Sequence, residues 1–339
     1  LTISLEYARI FSKYYSFEEY SFMSTNEVEL LTRVAWLHFM EGVTQREIAK
    51  KLGISQPKVA RLLDRAKRCG IVRISIASPY ANCLAIEGEL RRLFPHLEDV
   101  VVVPAPQGGD LFASLGRAGA WYLERVLQDG DLVGIAWGRT LKHVASSVQG
   151  TRVRNLKFVT LVGGLTASAS LNPYTIGEKL ASIFEGECYY LYAPAVVESE
   201  EIRNFYLSER INQKTLELAR QTRWSLVGIG TVDARHSIYA LTGFIDYHEL
   251  ELLRQKGAVG DILGQFYDRQ GNLIDTPLHR RTVALPLEDL RKMKNVIGIA
   301  GGKEKVEAIL GALRGKYIKI LITDEETAKD IVELAKREG

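Results

Sequence analysis

Thr44-Gln-Arg-Glu-Ile-Ala-Lys-Lys-Leu-Gly53, continuing through Ile54-Ser-Gln-Pro-Lys-Val-Ala-Arg-Leu-Leu-Asp-Arg-Ala-Lys-Arg-Cys-Gly70, reads as two short helices that turn at Gly53. Thr44 with Glu47 three residues on is a capping box and starts the first helix. Ile48, Ala49 and Leu52 share one face of it, and Ala49 is small enough for a second helix to cross closely. Gly53 permits the positive φ of a tight helix exit. Ser55 caps the second helix, Pro57 is tolerated in its first turn, and Val59, Leu62, Leu63 and Ala66 form its buried stripe. Gln56, Lys58, Arg61 and Arg65 are left on the opposite face, where the second helix of a helix-turn-helix meets bases and phosphates in the major groove. The expected DNA-contacting set is Thr44, Gln45, Ser55, Gln56, Pro57, Lys58, Arg61 and Arg65, and the partner is double-stranded operator DNA. Ile71 to Ile76 alternates apolar with polar and is β-branched, which predicts a strand and hence a winged variant.

Working outward, Asn26 to Met40 has the periodicity of an amphipathic first helix. Residues 26–77 thus form a helix-turn-helix domain with ten cations against five acids, about +5, on a chain whose net charge is +3. Nucleic acid is therefore expected at this part and not at the rest. Residues 1–25 match nothing downstream and are expected to be an N-terminal extension, with 1–22 arising from an early start codon. Pro79 marks a hinge, and 78–98 is expected to be a linker helix between domains or subunits.

The 339 residues are 46% hydrophobic and 25% charged, an ordinary globular balance that argues against disorder. No apolar run is long enough to span a bilayer, so no membrane partner is expected. Cys69, Cys83 and Cys188 lack metal or disulfide spacing and read as reduced thiols of a cytoplasmic protein.

From Asp99 to 339 short β-branched runs alternate with longer helical stretches, which predicts a doubly wound, mainly parallel α/β domain. Strands are expected at 100–103, 132–136, 158–162, 189–192, 226–229, 296–300 and 318–322. Four of them end in glycines: Gly138-Arg139-Thr140, Gly163-Gly164, Gly228-Ile-Gly230 and Gly301-Gly302 followed by Lys303 and Lys305. Strand ends that open onto helix starts are where such sheets bind anions. Glycines after strands are also common as plain turns; the recurrence of the pattern carries the argument. No Walker A loop, G-x-G-x-x-G or metal-ligand spacing is present, so no nucleotide cofactor and no metal is implied.

Ser55-Gln-Pro-Lys-Val-Ala-Arg-Leu-Leu63, Gly134-Ile-Ala-Trp-Gly-Arg-Thr140, Ala193-Pro-Ala195, Gly257-Ala-Val-Gly-Asp-Ile-Leu263, Ala300-Gly-Gly-Lys-Glu-Lys-Val-Glu-Ala-Ile309 and Leu321-Ile-Thr-Asp-Glu325 resemble the SorC family of bacterial sugar-responsive transcriptional regulators, the DeoR-type sugar-binding group. The resemblance implies a second domain similar to the sugar-phosphate isomerase and deaminase fold, a phosphorylated sugar or polyol as effector, and a homo-oligomer, dimer or tetramer. It also implies an effector site of Gly138, Arg139, Thr140, Gly163, Gly164 and Lys305 around the phosphate. Asn172, Asp261 and Arg235 would hydrogen-bond the sugar. Asp261 reads equally well as a helix cap or turn acid, and Asn172, before Pro173, as a turn residue.

The resulting expectation is a regulator, not an enzyme. The alternatives are a sugar-phosphate isomerase or deaminase with an appended DNA-binding head, using Asp261 and Lys305 for proton transfer, and a second domain that serves only oligomerisation. His38, His96, His143, His236, His248 and His279 form no clear catalytic pair, and fold likeness alone transfers no chemistry.

Overall fold

The computed structural model describes residues 24–338 apart from 75–77, 79, 106–107, 151–152 and 166–168. The expected extension over 1–22 lies outside the described residues. The chain divides into two compact units at Ala77/Ser78.

The first unit holds α1 (Thr25–Phe39), α2 (Gln45–Leu52) and α3 (Gln56–Arg68). Ser24 caps α1 by accepting from the Glu27 amide. At α2 both halves of the capping box form: the Glu47 amide donates to Thr44 Oγ1 at 3.3 Å, and the Thr44 amide donates to Glu47 Oε2 at 3.0 Å. Gly53, at φ 63°, ends α2 in the left-handed region, as its position predicts. Ser55 occupies the N-cap of α3 but its hydroxyl makes no capping bond. Val34, Leu37, Ile48, Ala49, Val59 and Leu63 form the core that locks α1 to the helix pair. Each large side chain buried there contributes about 1.5–3 kcal/mol. The expected wing strand does not appear over 71–74, and 75–76 lie outside the described residues.

The second unit is built on a sheet of seven strands, all parallel: β1 (Asp99–Val103), β2 (Leu132–Ile135), β3 (Lys157–Thr160), β4 (Glu187–Tyr189), β5 (Trp224–Gly228), β8 (Val296–Ile299) and β9 (Ile320–Asp324). Their order is β1-β9-β8-β5-β2-β3-β4. From β2 the chain moves outward through β3 and β4, whereas β5 lies on the other side of β2 and leads to β8 and β9. Right-handed crossovers taken in opposite directions put helices on opposite faces, and a crevice opens where the direction reverses, between β2 and β5.

An antiparallel hairpin, β6 (Ala258–Ile262) and β7 (Gln265–Asp268), stands apart from this sheet. Its strand pattern is hidden by Gly257, Gly260 and Asp261, and its register shifts between Ala258 and Gly260. A Cβ at Gly260 would come within 2.4 Å of Ala308 Cβ, so that glycine lets β6 lie against helix Val306–Arg314.

The segment expected to link the domains packs against the sheet of the second unit. Helix Ala81–Leu93 buries Cys83 and Leu90 in the same core as the sheet. Its Glu87 accepts from the amide of Val102 at 2.9 Å, satisfying a donor on the edge strand β1. It is thus a structural part of the second unit.

Candidate functional site

In the head, Gln56, Lys58 and Arg61 stand exposed on α3 opposite Val59 and Leu63. Arg61 Nε reaches only its own helix, the Pro57 carbonyl at 3.4 Å. Pro57 and Ser55 are exposed beside them, and Gln45 is half-buried at the start of α2. Two of the expected contacts have structural work: Thr44 is held in its capping box, and Arg65 is ion-paired with Glu27 of α1.

In the second unit, β2 runs out through Ala136 and Trp137 to Gly138, whose φ of 125° makes the turn into helix Arg139–Ser147. The first-turn amides of a helix have no partner within it, so this start attracts anions. The Arg139 guanidinium lies 4.4 Å over the Phe112 ring, which orients it. Thr140 is buried at the same helix start. Lys305, on the 3-10 turn after β8, is only 8% exposed. Burial first, and then the nearby Arg139 charge, lower its pKa to about 8. Among the described residues it forms no ion pair.

Asp261 of β6 completes the cleft. It is 3% exposed, and burial raises its carboxyl to about 7 against the opposing pull of the Gly264 amide and Lys305. Its Oδ2 accepts from Gly264 at 3.1 Å, while Oδ1 has no partner. An unpartnered buried carboxylate oxygen is costly unless something binds to it. Gly138, Arg139, Thr140, Asp261 and Lys305 all line one cleft with Phe112, Trp137, Gly228, Ile229, Gly230, His236 and Ile238. Its cavity volume is about 50 Å³, and it lies at the carboxyl ends of β2 and β5, the strand pair at which the topology reverses.

Four expected residues lie elsewhere. Gly163 donates its amide to the Val283 carbonyl and Gly164 to that of Ala193, so neither offers an N–H to an anion. They are glycines for packing: a Cβ at Gly163 would meet the Ala193 carbonyl at 2.5 Å, and one at Gly164 the Tyr174 ring at 2.9 Å. Asn172 is the N-cap of helix Pro173–Ile183, accepting from Tyr174 and donating to Leu165. Arg235 is 81% exposed and paired with Asp233 at 3.5 Å. It borders a wider groove whose other arginines are also paired, Arg254 with Glu251 at 3.2 Å and Arg269 with Glu338 at 2.9 Å. Its arginines are thus taken up by acids, while Lys256 and Lys303 also line it. Of the residues not anticipated, Gly228 and Gly230 belong to a loop whose glycines were visible, whereas His236 carried no local signal.

Among the described residues no helix is long and apolar enough to cross a membrane, and no group of three or more side chains could hold a metal ion.

Comparison with known proteins agrees with both halves of this description. Residues 78–333 match the family model described as "Putative sugar-binding domain", and residues 41–73 match a winged helix-turn-helix DNA-binding family. The deoxyribonucleoside regulator of Bacillus subtilis is 34% identical over 313 residues, 91% of this chain and 99% of the relative. The erythritol catabolism regulatory protein EryD of Brucella abortus is 33% identical, covering 91% and 98%. The full-length sorbitol operon regulator SorC of Klebsiella pneumoniae superposes with a TM-score of 0.69 at 30% identity, covering 91% of this chain and all of that one. With a helix-turn-helix head followed by a seven-stranded parallel α/β unit that carries the family's sugar-binding domain, this chain belongs to the SorC family of transcriptional regulators.

Proposed function

We propose that the head reads an operator in the major groove through Gln56, Lys58 and Arg61, and that the cleft of the second unit binds a phosphorylated sugar or polyol which changes the operator affinity. Thr44, Gln45, Ser55, Pro57 and Arg65 border that contact, and Thr44 and Arg65 act mainly by holding the helices in place. The observation that carries the effector reading is Lys305, a buried lysine without an ion-pair partner among the described residues, beside Arg139 and a helix start. Buried positive charge of this kind needs an anion, and a phosphate monoester supplies one with a fixed, multidentate geometry. Asp261, which lines the same cleft, suits a sugar hydroxyl. The sign of the control follows from which DNA-binding arrangement the ligand prefers, and every 1.4 kcal/mol of preference is about tenfold in operator affinity.

The protein works in the cytoplasm, where its DNA is, and as a homo-oligomer. In support of the latter, Tyr192, Ile202, Phe205 and Ile211 are large apolar side chains left 41–60% exposed. Sedimentation showing a monomer at all concentrations would remove that part.

Thermal unfolding against a panel of sugar phosphates and their unphosphorylated counterparts tests the effector reading. A ligand that binds only the native state at a hundred times its Kd stabilises it by about 2.7 kcal/mol. One or more phosphorylated members should raise the melting temperature and shift operator binding. Equal shifts from unphosphorylated sugars, or none from any phosphate, would refute it. A second reading has one observation in its favour: Asp261 near 7 and Lys305 near 8 are poised for proton transfer. Conversion of any panel member by the purified protein would establish it.

A further inference from the structure

Lys305 is a nucleophile as well as a charge. It is 8% exposed and lines the cleft beside Arg139 and Thr140, and among the described residues its amine makes no hydrogen bond and no ion pair. Burial and the Arg139 charge favour the neutral amine, Glu304 and Asp261 oppose them, and the balance falls at about 8. At pH 8 about half of the molecules therefore carry a free electron pair on Nζ. Desolvated lysines in this state attack carbonyl carbons.

Space and charge decide which carbonyl. The cavity of about 50 Å³ is not much larger than the roughly 30 Å³ that one water takes up in the liquid. Carbon dioxide, with three heavy atoms, enters such a space whole. It is also uncharged, so it does not hold the proton on the amine as an incoming anion would. The product of its addition is an anion, and the lining can stabilise one. Arg139 is oriented on the Phe112 ring, helix Arg139–Ser147 begins beside it, and Thr140 and Trp137 add a hydroxyl and an indole N–H as donor types. Three acids oppose it. Asp261 holds its proton up to about 7, and a new anion nearby keeps that proton on to higher pH. Glu304 lines the neighbouring groove, and Asp233 is paired with His236.

We infer that Lys305 is a carbon dioxide site, whose carbamate turns the cation of the cleft into an anion. The Nζ electron pair forms an N–C bond to the carbon of CO2, one C=O pair moves onto oxygen as the carboxylate charge, and the amine proton leaves to solvent. Nothing is oxidised or reduced, and the reaction reverses when CO2 is removed. Carbamate and phosphate exclude each other, because both draw on Arg139 and the helix start and only one leaves Lys305 cationic. The inference stands on the cleft and its lysine, and does not require the phosphosugar reading.

The test is incubation of the full chain with carbon-13 bicarbonate in a closed vessel at pH 8, followed by carbon NMR. Trapping with triethyloxonium ion and peptide mass mapping then locate the adduct. The adduct at Lys305 should exceed that at Lys303, its exposed neighbour, by at least about tenfold. Lys305→Arg keeps a cation but cannot form the adduct, and should lose that signal. Arg139→Gln should lower it about fivefold. In the wild type, inorganic phosphate should displace it, a readout that needs no variant. A folded wild type with no adduct at Lys305, or with no more than at Lys303, overturns the inference. So does a Lys305 signal that survives in Lys305→Arg, or an undiminished one in Arg139→Gln. If the adduct forms and phosphate leaves it untouched, the carbamate stands and the phosphosugar reading of the cleft falls. If phosphate binds by calorimetry and no adduct forms, the inference falls and that reading stands.

Discussion

On α3 of the head, Gln56, Lys58 and Arg61 stand in solvent while the opposite side of the helix buries Val59 and Leu63; in the second unit Lys305 and Asp261 are themselves inside. Water solvates the first set, so those groups can act only on a partner that brings its own high charge density, as a phosphate backbone does. Burial raises the free energy of the charged forms of the second set, moving Asp261 up and Lys305 down until both titrate near neutrality. One region is a surface kept ready for a large polyanion. The other stores unfavourable charge that a small ligand can relieve, and the family's pairing of a DNA-binding head with a sugar-binding domain divides the work along that line.

The largest expected effect tests the stored charge. A carboxyl moved from 3.8 to about 7 is ionised at the cost of about 4 kcal/mol. The native state keeps this proton while the unfolded state loses it, so stability should fall as pH rises between about 4 and about 7 and then level off. Asp261→Asn, measured by urea unfolding of the apo protein, should flatten that window and leave the protein up to about 4 kcal/mol more stable at pH 8. An unchanged pH profile would mean that Asp261 is solvated after all.

Next comes the ligand that relieves the charge. Lys305→Met should reduce affinity for any phosphorylated effector by about a hundredfold, about 3 kcal/mol, in a calorimetric titration. In the wild type a bound phosphate raises the Lys305 pKa above its free value of about 8. Affinity should therefore be full below that pH and decline as pH rises through it. Retained affinity in Lys305→Met would move the anion site elsewhere.

On the exposed side the changes are smaller. Arg61→Ala should weaken operator binding about tenfold, by fluorescence anisotropy at fixed salt, and Lys58→Ala should lower the slope of log affinity against log salt by about one. No change in either variant would break the groove assignment. The smallest effect belongs to the scaffold of the head: Thr44→Ala removes the capping box and should cost about 1 kcal/mol in thermal unfolding of that unit. A loss several times larger would mean that Thr44 does more than cap.

Legibility followed the same division. The helix-turn-helix could be read because its determinants are local: Thr44 and Glu47 are three residues apart, and Gly53 needs no distant partner for its left-handed turn. Gly138-Arg139-Thr140 was legible for the same reason, a strand end running straight into a helix start. Gly163-Gly164 looks alike in sequence and differs in space, since the carbonyls of Val283 and Ala193 already hold its amides. Asn172 and Arg235 were likewise reassigned by neighbours: a helix start to cap, and Asp233. The hairpin β6–β7 was hidden because glycines and an aspartate interrupt its alternation, and His236 because an imidazole in a loop has no periodicity to betray it.

By itself the sequence determined the head's three helices, its cationic face, and the alternation that makes a doubly wound domain, all set by caps, periodicity and composition within a few residues of each other. Only the tertiary structure decided that β2 and β5 lie side by side at the reversal of strand order, and that Lys305 and Asp261, 44 positions apart in the chain, share one cleft with Arg139. The reason is physical: capping and amphipathicity depend on nearest neighbours along the chain, whereas burial, and the charge states it imposes, depends on what the rest of the chain packs on top.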